Sequence, residues 1–256
     1  SRELTWIVNR VLRGADRLIC NSQNTKSLLM EHWDVPAKKI EVINPGVDEQ
    51  TFCPAEPDSA FRKKVGWDDR FVCLTVGRLQ RRKGHDRMIE AIPHLLEDIP
   101  DLLYAIVGQG DNYSNLVGEV QRLELTKHVQ FLDEIDDGDL IRCYQQCDLF
   151  ILPNRSDGND IEGFGMVLVE AQSAGKPVIA GDSGGTAETM DIGTTGIIAD
   201  CTNPERIAEA ILSVQKGMQE CCFQPDVCRQ HVLQALTWEK HTDRACKVFE
   251  QLGGST

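Results

Sequence analysis

Two glutamates, Glu162 and Glu170, bracket a stretch of seven residues, Gly-Phe-Gly-Met-Val-Leu-Val. The spacing places one carboxylate in a glycine-flanked loop and the other on the first turns of a helix expected over residues 165–175. Both can then face a ligand lying across the start of that helix. Carboxylates only accept hydrogen bonds, which suits the vicinal hydroxyls of a polyol. The helix end between them offers free N–H groups and a positive dipole end, which suit a phosphate. Glu170 stands among Met166, Val167, Leu168, Val169 and Ala171. A helix so apolar is mostly buried, and a glutamate on it needs a partner. The plainer alternative is a solvated surface glutamate. Paired acids also occur in glycoside-cleaving enzymes, but that chemistry leaves the cationic loop described next without a task. No His or Asp cluster accompanies the pair, so no metal site is expected.

The cationic loop is Gly77-Arg78-Leu79-Gln80-Arg81-Arg82-Lys83-Gly84. It follows an apolar run and precedes a helix. Gly77 lets the backbone approach a ligand. The planar fork of Arg78 can grip two phosphate oxygens, and Lys83 adds a point charge. Arg81 and Arg82 are expected to be exposed. For the run alone, a solvated basic loop is the simpler reading; its place after a central strand of an acidic protein favours diphosphate binding. Val107-Gly108-Gln109-Gly110-Asp111 lacks the third glycine of a dinucleotide fingerprint. It reads equally as a ligand contact or as a tight turn with Asp111 capping the next helix. Gly184-Gly185 reads as a pliable turn at a helix start, either an ordinary loop or a second backbone contact to phosphate. His85 reads as a capping or packing histidine.

The elements that must position these groups alternate. Short aliphatic runs at 71–76, 102–107, 128–132, 149–152, 178–180 and 196–199 read as buried parallel strands. Amphipathic segments at 85–97, 112–125, 137–146, 165–175 and 204–216 lie between or after them. This β-α-β-α order predicts an α/β fold, a doubly wound, Rossmann-like parallel sheet with right-handed crossovers. Ligands of such sheets sit at the carboxyl ends of the strands, where all the motifs above fall. Toward the start, 2–13 and 25–31 read as helices, with Ser22 as N-cap, and 17–20 and 40–43 as strands. Two strands and two helices are too few to close a core. Residues 225–235 and 237–252 read as helices, and 253–256 as frayed.

Lys and Arg number 27 against 40 Asp and Glu, for a net charge of −13. That excludes broad nucleic-acid binding. The 41% hydrophobic content supports a packed core. The ten cysteines are scattered without metal spacing, Cys143 and Cys147 being one helical turn apart. They read as reduced, mostly buried thiols of a cytoplasmic protein. No signal peptide or membrane-length apolar run is evident. The chain starts at Ser1 rather than Met, which suggests a fragment or processed form.

In combination, Asn44-Pro45-Gly46-Val47-Asp48, Gly77-Arg78…Lys83-Gly84, Val107–Gly110, Glu162…Glu170, Gly175–Ala180 and Gly184-Gly185…Glu188 resemble the nucleotide-sugar-binding half of a GT-B-fold glycosyltransferase. The type resembled is the retaining family 4, or group 1, and the likeness runs over roughly 15–250. It implies a C-terminal donor-binding domain at 46–235, a remnant of the N-terminal acceptor domain with its linker at 1–45, and a crossing C-terminal helix at 236–256. It implies hexosyl transfer from a UDP-, GDP- or ADP-sugar with retention, to a glycan, lipid or small-molecule acceptor. Arg78 and Lys83 would neutralise the departing diphosphate, and Glu162 would hold hydroxyls of the transferred sugar. Glu170 would hold the ribose. Backbone groups of Phe164, Gly165, Met166 and Val167 would line sugar and phosphate, with Gly77, Gly108, Leu132 and Gly184 beside them. Residues 131–134 would flank the base. No metal and no cofactor beyond the donor is expected.

The first domain's acceptor site, glycine-rich loop and catalytic His or Asp are not found here. The resemblance therefore implies a chain that binds nucleotide but transfers sugar poorly alone. It also implies an apolar face that favours self-association, and membrane-surface docking through the first domain. The competing readings are a non-catalytic nucleotide-sugar module working with a partner, an epimerase or phosphorylase of the same fold, and a doubly wound domain for another ligand.

Overall fold

The computed structural model describes residues 2–253. The expected fraying of 253–256 therefore falls, apart from Gly253, outside the described residues. Gly253 ends the last helix.

Six parallel strands form the main sheet: β3 (Phe71–Val76), β4 (Leu102–Val107), β5 (Val129–Leu132), β6 (Leu149–Leu152), β7 (Val178–Gly181) and β8 (Gly196–Ala199). Their order across the sheet is β5-β4-β3-β6-β7-β8. The chain thus builds outward from β3 in one direction, then returns to its other side at β6. This reversal opens a crevice at the carboxyl ends of β3 and β6.

Strand side chains alternate between two cores. Cys73, Tyr104, Ile106, Ile151 and Ile179 pack under α4 (His85–Ala91), α5 (Tyr113–Arg122) and α8 (Pro204–Gln219). Val72, Leu74, Ala105, Phe150 and Leu152 pack on the other face, against α3 (Ser59–Val65), α6 (Asp137–Gln146) and α7 (Met166–Ser173). Burial on both faces is why these strands read as continuous apolar runs rather than alternating ones.

Several expectations are corrected. The helix expected over 85–97 stops at Ala91, and a 3-10 turn with Pro93 follows. Proline has no N–H to continue the ladder. Asp111 does not cap α5: Asn112 stands at the N-cap and no side chain caps it. After Gly184-Gly185 the chain forms only the 3-10 turn Thr186–Thr189. Helix α3 was not read from the sequence. It is seven residues long with one buried side chain, Phe61, and is held by Asp58, whose Oδ1 accepts the Phe61 N–H at 2.9 Å. All ten cysteines are free thiols, and Cys20, Cys73, Cys143, Cys147, Cys201 and Cys228 are buried.

The first 43 residues carry α1 (Arg2–Gly14), β1 (Leu18–Cys20), α2 (Gln23–Trp33) and β2 (Ile40–Val42), with β1 and β2 paired in parallel as a separate two-stranded sheet. Ser22 caps α2, as expected, accepting from the Thr25 N–H at 3.0 Å. Among the described residues, Cys20, Val35 and Ile40 form its buried cluster. Leu4, Trp6, Ile7 and Val11 of α1 are all more than half exposed. This unit docks on the main sheet through Glu188, whose carboxylate accepts from Gln23 N at 2.7 Å and Asn44 Nδ2 at 3.3 Å. At the far end, α9 (Pro225–Ala235) packs on α7, and α10 (Trp238–Gly253) returns to the early chain. Val47 bridges Thr237 there, and His241 Nδ1 lies 3.0 Å from the Asn44 carbonyl. Among the described residues no helix is long and apolar enough to cross a membrane.

Candidate active site

The loop after β3 and the loop after β6 are pressed together at the switch point. Gly84 takes φ 73°, and a Cβ there would lie 1.7 Å from the Pro153 carbonyl oxygen. Only glycine fits. Arg155 N donates to the Arg82 carbonyl at 2.8 Å. The Arg155 guanidinium makes a two-pronged pair with Asp86, both contacts 2.8 Å. Burial alone would raise the Asp86 carboxyl, but the guanidinium brings it below its ordinary range.

This clasp brings three predicted groups together. Lys83, 8% exposed, sets its Nζ 2.5 Å from Glu162 Oε2. Gly77 lies alongside, where a Cβ would stand 3.8 Å from Lys83 Cε. Arg82, expected to be exposed, is instead half-buried, with a terminal guanidinium nitrogen also 2.5 Å from Glu162 Oε2. Its Nε stands 3.1 Å from Asp160 Oδ1 without the alignment of a hydrogen bond. The expectation failed because the turn 81–83 is 3-10, which swings Arg82 to the cleft side and leaves Arg81 exposed.

Arg78 points elsewhere, into an open pocket of about 680 Å³ that Gly108, Gln109, Gly110, Asp111, Tyr113 and Asp133 also line. Gln109 Nε2 donates to the Asp133 carbonyl at 3.0 Å, tying the loops after β4 and β5. Gly108 is a glycine because a Cβ would strike the Gly77 carbonyl oxygen at 2.1 Å. Leu132 turns its half-buried side chain to the core, and its carbonyl accepts the Gly108 N–H at 3.4 Å.

Between Glu162 and Glu170 the chain enters α7 through Gly165, at φ 97° and with no side-chain cap. Phe164 is 3% exposed and packs with Val47, Val169, Val232 and Leu236, so only its backbone faces the cleft side. Met166 and Val167 are half-buried. Glu170 does not look to solvent for its partner. Its Oε2 accepts the Tyr144 hydroxyl at 2.6 Å. Burial pushes its carboxyl above the ordinary range, partly countered by that hydrogen bond. Glu162 and Glu170 thus sit at the two ends of one loop-helix entry, each engaged by a different protein group.

Gly184 and Gly185 buttress this entry from behind. A Cβ on Gly184 would lie 1.8 Å from the Glu162 carbonyl oxygen, and Gly185 N donates to that oxygen at 3.0 Å. Close packing alone accounts for both glycines. His85 is buried between Tyr104 and the Arg78 carbonyl, 3.0 and 3.4 Å away. Burial lowers its pKa to about 4, so it is neutral near pH 7. Among the described residues no three His, Cys, Asp or Glu side chains converge as a metal site.

Sequence reasoning missed Tyr144 and Arg155 as contributors; Glu188, named in the resemblance, holds the start of α2 and Asn44. Arg155 carried a faint signal, a lone cation in a loop of Asn, Ser, Asp and Gly. Tyr144 carried none, since a tyrosine on the apolar side of a helix reads as core.

The comparisons with known proteins bear on the family and the fold. Residues 58–221 match the family described as "Glycosyl transferases group 1", and residues 1–51 match "Glycosyltransferase Family 4". This chain belongs to the group 1 glycosyltransferases. It is 36% identical to a GDP-mannose-dependent alpha-(1-6)-phosphatidylinositol monomannoside mannosyltransferase of Mycolicibacterium smegmatis, over 98% of this chain and 68% of that protein. It is 31% identical to a D-inositol 3-phosphate glycosyltransferase of Corynebacterium kroppenstedtii, over 80% of this chain and 47% of that one. The chain therefore spans about half to two thirds of these relatives. Among solved structures, Anabaena HepE in complex with UDP and glucose superposes with a TM-score of 0.86 at 24% identity, covering 98% of this chain and 68% of that one. That likeness establishes the GT-B architecture, of which the six-stranded sheet is one Rossmann-like half.

Proposed function

We propose that this chain holds the donor of a retaining hexosyltransferase, and that the donor is GDP-mannose. The observation that carries the reading is the meeting of Lys83 and Glu162 at the switch point, beside the Arg78 pocket. In this reading Arg78 and Lys83 take the diphosphate, with the open end of α7 adding N–H groups. Phosphate binding draws Lys83 from Glu162, and the carboxylate, still paired with Arg82, turns its other oxygen to hydroxyls of the sugar. Glu170 takes the ribose, and the pocket lined by Gln109, Asp111 and Asp133 takes the base. The cations do the neutralising work, without a metal. The choice of guanine and mannose leans on the names of the mannosyltransferase relatives. The same names favour an inositol-bearing acceptor.

Titration with GDP, UDP and ADP in the presence of EDTA tests the reading. GDP should bind most tightly and should compete with pyrophosphate. Equal affinity for all three would remove the guanine assignment, and binding that requires a divalent metal would remove the metal-free one. A donor-consumption assay with acceptor tests the second half of the reading, that this chain alone turns over poorly.

A further inference from the structure

We propose that Tyr144 is a positioning residue for nucleotide recognition: its hydroxyl fixes Glu170 so that the other carboxylate oxygen meets the ribose diol. The inference rests on the assignment of Glu170 to the ribose. Tyr144 is fully buried on α6. Its ring is stacked on Phe150 at 5.5 Å and meets Phe52 edge-on at 5.4 Å, so it cannot swing. From that fixed ring the hydroxyl donates to Glu170 Oε2 at 2.6 Å. Among the described residues no other donor reaches this carboxylate, which leaves Oε1 free to accept.

The arrangement does two things. It selects one rotamer of a side chain that is otherwise flexible, so less entropy is lost when the diol binds. It also stabilises the ionised form, whose oxygens only accept hydrogen bonds. Other groups around α7 are engaged elsewhere. Arg229 of α9 donates to the carbonyls of Phe52, Ser173 and Glu49, and His231 lies against the Thr189 carbonyl. Glu188 serves the start of α2. Strands β6 and β7 bring no charge to α7. Cys143 and Cys147, which share α6 with Tyr144, have thiols pushed up to about 12 by burial and stay neutral. Proton occupancy at Glu170 is thus set by burial and by Tyr144.

The test compares GDP with 2′,3′-dideoxy-GDP, by calorimetry, from pH 5 to pH 8, in wild type, Tyr144→Phe and Glu170→Gln. The ratio of the two affinities isolates the diol and cancels titration of the phosphates. Pyrophosphate binding reports whether the rest of the site is intact. Tyr144→Phe keeps both ring contacts and removes only the hydroxyl. It should cut the diol preference roughly two- to tenfold, most at low pH, with the acid limb moved to higher pH and pyrophosphate affinity unchanged. Glu170→Gln should nearly abolish the preference at every pH. If Glu170→Gln keeps the full preference, the ribose assignment itself fails. If Glu170→Gln loses it while Tyr144→Phe matches wild type in ratio and pH profile, Tyr144 does not position the carboxylate. A loss of pyrophosphate affinity in Tyr144→Phe would likewise overturn the proposal, by showing a general structural role.

Discussion

Replacing Glu162 with Gln should weaken the free protein and strengthen its grip on diphosphate. The carboxylate serves Lys83 and Arg82 at 2.5 Å each, and the three side chains are only 12%, 10% and 18% exposed. At about 4 Å and an effective dielectric of about 20, each cation–carboxylate attraction is about 4 kcal/mol before desolvation is counted. Removing one partner of a fully buried pair costs about 3–5 kcal/mol. Some water reaches this trio, and the Gln oxygen still accepts one hydrogen bond, so a loss of about 3 kcal/mol is expected. In a chain of this length that lowers Tm by roughly 6–12 °C. The ligand effect has the opposite sign. With the carboxylate gone the site gains one positive charge unit, and a phosphate no longer competes for Lys83. At about 6 Å and a dielectric of about 40, one charge is worth roughly 1.4 kcal/mol, or tenfold in affinity. Thermal unfolding across a pyrophosphate series reads both effects, since saturating ligand stabilises by the logarithm of its concentration over Kd. The variant should start lower and gain roughly 1.4 kcal/mol more than wild type at the same high concentration. An unchanged starting Tm together with an equal or smaller ligand gain would refute the reasoning.

Other outcomes follow from the same geometry. Gly184→Ala forces a Cβ to within 1.8 Å of the Glu162 carbonyl oxygen at φ 74°; it should cost more than about 1 kcal/mol in chemical denaturation and weaken donor binding by displacing Glu162. His85 is held neutral with its pKa lowered from 6.5 to about 4. The unfolded chain therefore binds more protons between those values, so stability is full above pH 6.5 and falls by roughly 3 kcal/mol as pH drops to 4. Urea unfolding of His85→Asn at pH 7 and pH 4 should show that part of the slope removed; an unchanged slope would count against the buried neutral imidazole. Glu188→Gln should loosen the docking of α2, read as faster amide exchange at Gln23 and Asn24 with little change at β3 and β6.

Much of this fold was legible because its strands are buried on both faces. Phe71–Val76, Leu102–Val107, Leu149–Leu152 and Gly196–Ala199 stand where the apolar runs placed them. Burial makes such runs unbroken, and Gly, Asp or Pro ends them. Helix α3 was not legible, because a seven-residue helix with one buried side chain carries no periodicity. Helix α4 was over-extended because 92–97 continues the apolar spacing, while Pro93 decides the backbone. At the site, residue type was informative and pairing was not. The loop composition pointed to Arg78 and Lys83, yet nothing in it says that Arg82 turns inward or that Glu162 neutralises Lys83 in the free protein. Those depend on the contact between the loops after β3 and β6, which are about 70 residues apart in sequence. The glycine pair at 184–185 shows the same limit. Its sequence suggests a phosphate turn, whereas the close approach to Glu162 already demands glycine there.

Arg78 and Lys83 are proposed to receive the diphosphate of the donor at the switch point of this sheet. Calorimetric titration of GDP into the wild-type chain and into Arg78→Ala tests this most directly. One site should be seen in wild type, displaced by pyrophosphate, and weakened by about 1.5–3 kcal/mol in Arg78→Ala, as for loss of a hydrogen bond between charged groups. GDP binding that is indifferent to both pyrophosphate and the loss of Arg78 would contradict it.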